Sequence, residues 1–339
     1  MVEVLEPQCE WTSADVADPA QWTEVLTPDE CAEIDAACRA ALPMVDDLMA
    51  VTKAHFPLPG LAARLKRIEN ELINGRGFVR LRGLDRSRYS NDEMCLIYWG
   101  IGAHLGKPWA QNKYGHLLGD VTDHGKKPDD PTARGNELGQ IKLDYHCDGS
   151  DLVGLLCLQT GISGGLSAVA NSVAMHNALV RERPDLAEEL YKPLPFDFRG
   201  EQAPGAQGWY LKPVFTNHNG RLFVRLIAPY ILASQRHADA PRLSDKTREA
   251  LAWMTDAAES GRWSVMMDFL PGDMQFINNY HVLHGRTAYV DDPAHGKIRH
   301  LKRLWLETEV LEDRPVWFRH HVESHWDAKR SISRMDAVR

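Results

Sequence analysis

The segment Tyr145-His146-Cys147-Asp148-Gly149-Ser150-Asp151 carries the pattern on which the fold and the function depend. Successive side chains of an extended strand point to opposite faces, so His146 and Asp148 would point the same way. A neighbouring imidazole and carboxylate can fill two adjacent positions around a divalent ion such as iron. His-x-Asp also arises by chance, and a strand-end histidine bonded to a nearby acid is the competing interpretation. Residues elsewhere in the chain decide between the two.

The composition is typical of a globular protein that binds neither nucleic acid nor membrane. The chain has 339 residues, 44% hydrophobic and 25% charged, enough for one large core or two modest ones. A net charge of −8 at pH 7 provides no basic field for a phosphate backbone or an anionic membrane. The six cysteines form no Cys-x-x-Cys pair, which favours a reducing, cytoplasmic location. We expect a small-molecule substrate and leave self-association as a homo-oligomer open.

Helix signals dominate the first third of the chain. Two capping boxes, Thr27–Glu30 and Ser90–Glu93, each predict the start of a helix. Residues 107–140 are rich in Gly, Pro, Asp and Asn and predict a long loop over a site. The expected elements are an irregular arm over residues 1–26, a helix ending near Ala41, a helix from about Pro59 to Asn74, a strand over 77–83 and a helix ending near Gly106.

The second half of the chain is mostly β in pattern. Leu152–Leu158 is a continuous apolar run of strand length, and Asn171 or Ser172 caps the helix that follows. Further strands are expected over residues 213–215, 221–226, 265–270, 274–277 and 299–306, with a helix over 244–260. Helices first and short strands later predict an α+β protein with a β-rich core, a jelly roll of two antiparallel sheets buttressed by helices.

A third metal ligand has to come from elsewhere in the chain. His284 is followed by Gly285 and Arg286, and the glycine allows close approach of backbone and ligand. His281 is the competitor. Three residues away on a strand, it would face the opposite side, so both histidines are not expected to bind one ion.

Arg303 lies on an apolar strand and shares a face with Arg299. An inward arginine needs an anionic partner, because an unpaired buried charge is expensive. A carboxylate held by the two-pronged guanidinium would provide it. The alternative is an exposed edge strand whose arginines reach into solvent.

The chain contains an ordered set of motifs: His146-x-Asp148, Gly164-Gly165-x-Ser167, Asn279, His284 and Arg303. Over roughly residues 70–310, this set resembles a known family, the taurine dioxygenase/TfdA-like iron(II)- and 2-oxoglutarate-dependent dioxygenases. The resemblance implies a cupin-like double-stranded β-helix, iron(II) held by His146, Asp148 and His284, 2-oxoglutarate as cosubstrate, and O2. Asn279 matches a family asparagine, which favours His284 over His281.

The resemblance also implies roles for three residues around the cosubstrate. Arg303 would clamp the distal carboxylate of 2-oxoglutarate, Ser167 would bond the same carboxylate, and Arg299 would lie near the other end. The implied organisation is an N-terminal helical arm (1–70), a dioxygenase domain (71–310) and a C-terminal extension (311–339).

The implied activity is oxidation of a C–H bond, with release of succinate and CO2. Hydroxylation is the expected outcome, with desaturation or ring closure as alternatives, and Asp148 argues against halogenation, because related halogenases replace this carboxylate. A zinc hydrolase and a non-catalytic jelly-roll sensor are the alternatives of other classes. The substrate is expected to be small and polar, amino-acid-like or a carboxylate. The candidate substrate-binding residues are Asp144, Asp151, Arg199, Gln111, Asn112 and Asn279.

Overall fold

The computed structural model describes residues 2–127, 135–318 and 329–332. The helices are α1 (Pro28–Ala41), α2 (Ala62–Asn74), α3 (Asn91–Ala103), α4 (Ser172–Glu182), α5 (Pro184–Leu190), α6 (Ala228–Ala233) and α7 (Asp245–Glu259). The strands are β1 (Thr23–Val25), β2 (Phe78–Arg82), β3 (Lys107–Pro108), β4 (His116–Val121), β5 (Leu143–His146), β6 (Leu152–Gln159), β7 (Ser163–Gly164), β8 (Ser167–Asn171), β9 (Pro193–Asp197), β10 (Trp209–Pro213), β11 (Phe215–His218), β12 (Arg221–Val224), β13 (Ser264–Met267), β14 (Met274–Asn278), β15 (Val282–Arg286), β16 (Tyr289–Val290), β17 (His300–Glu307) and β18 (Ser331–Ile332).

Both predicted capping boxes are present. The Thr27 hydroxyl accepts a hydrogen bond from the backbone N–H of Glu30, and the Glu30 carboxylate accepts one from the N–H of Thr27. Ser90 and Glu93 repeat this exchange at the start of α3. The predicted helix bounds are less accurate. Helix α2 begins at Ala62 rather than about Pro59, and α3 ends at Ala103 rather than near Gly106, so each is about one turn shorter than expected.

The large sheet has the strand order β1-β2-β14-β6-β17-β4-β18, and β3 pairs with β17. Most neighbours are antiparallel, but β1 lies parallel to β2 and β18 parallel to β4. Two expectations change here. The arm, predicted to be irregular, adds the edge strand β1, and the predicted loop over 107–140 contains β4, which pairs with β17 on one side and β18 on the other.

The small sheet has the order β13-β8-β15-β5 and is antiparallel throughout. Side chains of β17 in the large sheet contact the segment that follows β5 in the small sheet. The two sheets therefore face each other at this point, and the functional site lies between them.

Two buried clusters hold these layers in place. One packs α1, α2 and α3 on the large sheet and contains Phe56, Tyr98 and Phe276. The other packs α4, α5 and α7 on the small sheet and contains Met254 and Leu283. The protein thus has a mixed α and β architecture with a central sheet flanked by helices, and in the described part of the chain no helix is both long and apolar enough to cross a membrane.

Candidate functional site

Two histidines meet across neighbouring strands of the small sheet. His146 is the last residue of β5 and lies directly opposite His284 in β15. Directly opposed residues of an antiparallel pair bring their side chains together on one face. The two imidazole ring centres are accordingly 4.3 Å apart. Residues 138 positions apart in sequence are thus joined by the register of the sheet.

Asp148 lies two residues beyond β5, and Asn279 holds its backbone. The Asn279 side-chain oxygen accepts from the Asp148 N–H at 2.7 Å, and its amide donates to the carbonyls of Asp148 and Ser150, each at 2.7 Å. Asn279 is fully buried in this role. The interpretation of Asn279 as a substrate-binding residue is therefore wrong, because the amide is committed to the loop that aims Asp148.

His146, Asp148 and His284 form a three-ligand group, called here the metal triad. Their donor atoms all lie within 4.8 Å of one another. His146 Nε2 is 3.9 Å from Asp148 Oδ1, and His284 Nε2 is 3.5 Å from Asp148 Oδ2. The two imidazoles and one carboxylate suit a non-haem iron(II) ion, with open positions left for other ligands.

The protonation state of His146 also fits metal binding. Its Nδ1 donates a hydrogen bond to the backbone carbonyl of Asp144 at 2.8 Å, so Nε2 presents its lone pair to the triad. Burial, and then the neighbouring His284, lower the pKa of His146 to about 4. The imidazole is therefore neutral at pH 7, the form that ligates a metal.

Arg303 and Trp305 of β17 fix the Asp148 carboxylate from the opposite sheet. Arg303 Nη1 donates to Oδ2 at 3.0 Å and Trp305 Nε1 donates to the same oxygen at 2.9 Å. Burial alone would raise the pKa of Asp148, but Arg303 and the two histidines hold it well below its usual range. The carboxylate is therefore ionised, and the hydrogen bonds from Arg303 and Trp305 to Oδ2 fix its orientation.

Gln111 and Asn112 have structural roles rather than the predicted contact with substrate. The buried Gln111 accepts from Arg303 Nε at 2.8 Å and donates to the Arg303 carbonyl at 2.8 Å, so it orients that arginine. The Asn112 side chain accepts from the N–H groups of Tyr114 and His116 and shapes the turn before β4. Neither lines the cavities next to the triad.

Asp151 also differs from its predicted role. Its carboxylate is fully buried and binds Arg314 at 2.5 Å, the Tyr280 hydroxyl at 2.6 Å and the Thr308 N–H at 2.9 Å. It lines neither cavity at the triad. Asp151 therefore ties the start of the predicted C-terminal extension to the core. The remainder of that extension, residues 319–328 and 333–339, lies outside the described residues.

A small cavity of about 50 Å³ adjoins the triad and contains the second predicted arginine. Ser167, Arg299 and Arg303 line it together with both triad histidines. Arg299 is 4% exposed, donates to the Gly165 carbonyl at 3.1 Å, and its Nη1 is buried without a hydrogen-bond partner in the described structure. Burial, and then Arg286, lower the pKa of Arg299 to about 10. A buried arginine with an unsatisfied donor is suited to an anion.

The placement of the two arginines differs from the sequence prediction. Arg303 contacts the Asp148 carboxylate, so it lies at the metal end of the site. Arg299 lies beside Ser167 and has no contact with the triad among its hydrogen bonds and ion pairs in the described residues. The motifs assigned Arg303 to the distal carboxylate of 2-oxoglutarate and Arg299 to its other end, but spacing along a strand does not reveal which inward residue is nearer the metal.

A larger cavity of about 310 Å³ also adjoins the triad and is lined by His146 and Asp148. Asp144 and Arg199, two of the predicted substrate residues, line it. Its wall also includes Arg225, Tyr230 and Trp305, and Trp305 is two residues from Arg303 on the inward face of β17. The alternation along β17 is the signal that would have identified Trp305.

Comparison with known proteins gives the family. Residues 44–305 match the family described as "Taurine catabolism dioxygenase TauD, TfdA family". The chain is 31% identical over 320 residues to FR-33289 synthase of Streptomyces rubellomurinus, which covers 91% of this chain and 93% of that protein. The chain belongs to the TauD/TfdA family. It is an iron(II)- and 2-oxoglutarate-dependent dioxygenase, as the ordered motifs predicted, and the alternatives of a zinc hydrolase and a non-catalytic sensor are excluded.

Two solved structures resemble the dioxygenase in fold. The non-haem iron oxygenase OrfP, in complex with Fe, succinate and (3S)-hydroxy-L-Arg, has a TM-score of 0.63 at 17% identity and covers 87% of this chain and 98% of its own. Asparagine oxygenase, in complex with Fe(II), 2S,3S-3-hydroxyasparagine and succinate, has a TM-score of 0.62 at 17% identity and covers 84% and 94%. At these identities the likeness is one of fold.

A second group of three donor residues lies elsewhere in the dioxygenase. Glu6, Cys9 and His281, called here the arm anchor, also bring their donor atoms within 4.8 Å. His281 Nε2 is 3.0 Å from the Glu6 carboxylate, which joins the N-terminal arm to the turn before β15. As predicted, His281 and His284 belong to different sites.

Proposed function

We propose that the dioxygenase hydroxylates a C–H bond of a small polar substrate bound in the larger cavity, with iron(II) held by the metal triad. The observation that carries this proposal is the triad itself, which lies between one cavity with a buried, unsatisfied arginine and another with charged and aromatic walls. The two cavities provide the separate binding sites that a cosubstrate and a substrate require next to one metal.

Iron(II) with 2-oxoglutarate supplies O2 activation coupled to decarboxylation of the cosubstrate to succinate. The residues of this chain contribute position and charge. Arg299 and Ser167 hold the distal carboxylate of 2-oxoglutarate in the small cavity, since both side chains line it and the Arg299 Nη1 needs an acceptor. Arg303 stays at the metal end, where it balances the charge of Asp148. This assignment exchanges the two arginines relative to the sequence prediction.

An amino-acid-like or carboxylate substrate suits the larger cavity. Asp144 and Arg199 line the same space and carry opposite charges, as a zwitterion requires. The fold neighbours are complexes with (3S)-hydroxy-L-Arg and with 2S,3S-3-hydroxyasparagine, which is consistent with such a substrate. Trp305 and Tyr230 supply apolar surface that excludes water from the reacting carbon.

We also propose that the two facing sheets form the double-stranded β-helix of this family. The large antiparallel sheet and the four-stranded sheet that carries both triad histidines support it. Residues 71–310 would then be the catalytic domain, with 1–70 and 311–339 as additions that cover it. Strand β1, the Glu6–His281 pair and the Asp151–Arg314 ion pair are among the contacts through which these additions reach the domain.

The experiment is succinate formation by the purified protein with iron(II), ascorbate, 2-oxoglutarate and a panel of amino acids, amines and carboxylates. The wild type should form succinate, and His146→Ala should form none. The matched control is His295→Ala, which removes a surface histidine 79% exposed in its side chain and should not change the rate. Full succinate formation by His146→Ala would sink the proposal. Product mass separates hydroxylation from desaturation or ring closure.

A further inference from the structure

Arg286 is a third arginine of the small cavity, which it lines together with Arg299 and Arg303. It lies in β15 two residues after the triad ligand His284, and the strand register places it opposite Leu143 of β5. Its side chain is only 5% exposed. A charged group buried this close to the metal triad needs a partner or a function, because a buried charge is expensive.

The two ends of the Arg286 guanidinium have different surroundings. Its Nη2 donates to the backbone carbonyls of Leu138 and Ile141, the second at 3.0 Å, and its Nε donates to the Thr287 carbonyl at 3.3 Å. Its Nη1 is buried and has no hydrogen-bond partner in the described structure. An unsatisfied buried donor costs free energy until an acceptor arrives. One end of the side chain therefore holds the protein, and the other end is available to a ligand.

Arg286 and Arg299 form a pair of like charges around one aromatic ring. Their guanidiniums lie 4.7 Å and 5.0 Å from the centre of the Tyr289 ring, and each has a buried Nη1 without a partner. Among the described residues, the hydrogen-bond acceptors of both guanidiniums are backbone carbonyls and not carboxylates. Two buried guanidiniums that line one cavity are suited to an anion that accepts from both.

The carbonyls that Arg286 binds belong to residues 135–143, called here the wall segment. Leu138, Ile141 and Lys142 of this segment line the larger cavity, and Asn136 and Leu143 line both cavities. The wall segment is therefore shared by the expected cosubstrate and substrate sites. Through its Nη2, Arg286 connects the inside of the small cavity to this shared wall.

We propose that Arg286 couples the two cavities: its Nη1 and Arg299 together bind the distal carboxylate of 2-oxoglutarate, and its Nη2 then fixes the wall segment. The inference rests on the proposed function, because it takes the small cavity as the cosubstrate site. A carboxylate has two acceptor oxygens, so one group can satisfy both arginines. A bound carboxylate restrains the Arg286 guanidinium, and the restrained guanidinium restrains the carbonyls of Leu138 and Ile141. The cosubstrate thereby completes the wall against which the substrate binds.

The test is anaerobic hydrogen–deuterium exchange of peptides that cover the wall segment, in protein loaded with iron(II). One sample is saturated with 2-oxoglutarate and the other with 2-oxobutyrate, which keeps the 2-oxo acid end and lacks the distal carboxylate. The visible charge-transfer band confirms saturation in each sample. We expect 2-oxoglutarate to slow exchange of the wall segment about tenfold more than 2-oxobutyrate does, because only its distal carboxylate reaches the arginine pair.

Three variants separate coupling from charge. Arg286→Lys keeps the charge but lacks the two-pronged head, so it should lose the extra slowing and bind 2-oxoglutarate about tenfold more weakly, with 2-oxobutyrate binding unchanged. Arg299→Gln should also weaken 2-oxoglutarate binding, but at saturation it should keep the extra slowing, since the Arg299 side chain donates to Gly165 outside the wall segment. Arg248→Gln, at an exposed position of α7, is the control and should behave as the wild type does.

The outcomes distinguish the coupling from the proposed function. Equal slowing by the two acids in the wild type overturns the coupling, and so does extra slowing that persists in Arg286→Lys. If Arg286→Lys weakens both acids equally, the residue has only a structural role and the coupling is again overturned. The wild-type comparison decides the question even if the Arg286 variant does not fold. Absence of a charge-transfer band with 2-oxoglutarate in the wild type would instead overturn the proposed function.

Discussion

The metal triad and the arm anchor each bring three potential ligands within 4.8 Å, but their donors are committed differently. In the arm anchor, the Glu6 carboxylate already accepts from the Leu222 N–H at 2.7 Å and from His281 at 3.0 Å. Burial raises the pKa of Cys9 to about 11, so its thiol stays protonated. The triad histidines instead direct Nε2 atoms at an ionised carboxylate beside two cavities.

This difference shows that proximity of donor atoms is not enough to define a metal site. In the arm anchor, the Glu6 carboxylate pairs with His281, and this pair joins the N-terminal arm to the sheet. The triad is instead positioned by residues that are not ligands, Asn279 on the backbone and Trp305 on the carboxylate. We therefore expect changes at the triad to remove activity and changes at the arm anchor to lower stability.

The largest difference is expected between Asp148→Ala and Glu6→Ala. Asp148→Ala removes an iron ligand, and succinate formation should fall at least about a hundredfold while the fold survives. Glu6→Ala leaves His281 without its partner and should lower the free energy of unfolding by about 2 kcal/mol, with succinate formation retained. Steady-state succinate assays and urea unfolding of both variants measure this. Loss of activity in a folded Glu6→Ala protein would contradict the separation of the two sites.

The second comparison is between Arg299 in the small cavity and Arg221 near the arm anchor. Arg299→Gln removes the expected partner of the distal carboxylate and should raise the KM for 2-oxoglutarate about a hundredfold. Arg221 is 3.8 Å from Glu6, and Arg221→Gln should leave that KM unchanged. A normal KM in Arg299→Gln, with a raised one in Arg303→Gln, would restore the order of arginines predicted from the sequence.

A smaller effect is expected for Trp305→Phe. This change removes the indole N–H that donates to Asp148 at 2.9 Å and keeps an aromatic ring in the cavity wall. Loss of a group that orients a metal ligand usually lowers metal affinity by about ten- to a hundredfold, and we expect about tenfold for this variant. Anaerobic iron(II) titration measures this affinity. If it equals that of the wild type, Trp305 is only part of the wall.

The last comparison concerns His176, whose neighbour Asn177 bonds the arm at Leu5 and Glu10. Burial lowers the pKa of His176 to about 4, below its ordinary value, so the unfolded chain takes up the proton first as the pH falls. As the pH falls from 7 to 5, His176 should therefore lower the free energy of unfolding by about 2 kcal/mol. His176→Gln should make this loss smaller, whereas His295→Gln should not. Identical pH profiles for wild type and His176→Gln would refute this.

The sequence predicted local features well. Capping boxes and the alternation of strands depend on neighbours a few residues apart, so Thr27, Ser90 and the apolar run of β6 were correctly interpreted. The family match confirmed the enzyme class that the ordered motifs indicated.

What the sequence could not show depends on contacts between distant segments. Strand β4 was hidden in a predicted loop because its strand character comes from pairing with β17. A polar residue near a motif does not reveal its partner, so the sequence predicts a substrate contact equally well for Gln111, Asn279 and Asp151. Their partners are far away in sequence. Gln111 binds Arg303 across 192 positions, Asn279 binds Asp148 across 131, and Asp151 binds Arg314 across 163.

The most direct test of the central claim is an anaerobic visible titration with iron(II) in the presence of 2-oxoglutarate. It uses wild type, His284→Ala and His281→Ala, which change two histidines three residues apart, one in each site. The wild type and His281→Ala should develop a charge-transfer band that saturates at about one iron per chain, as a single facial triad requires. His284→Ala should develop no band. A full band in His284→Ala, or its loss in a folded His281→Ala protein, would contradict the assignment of the metal triad.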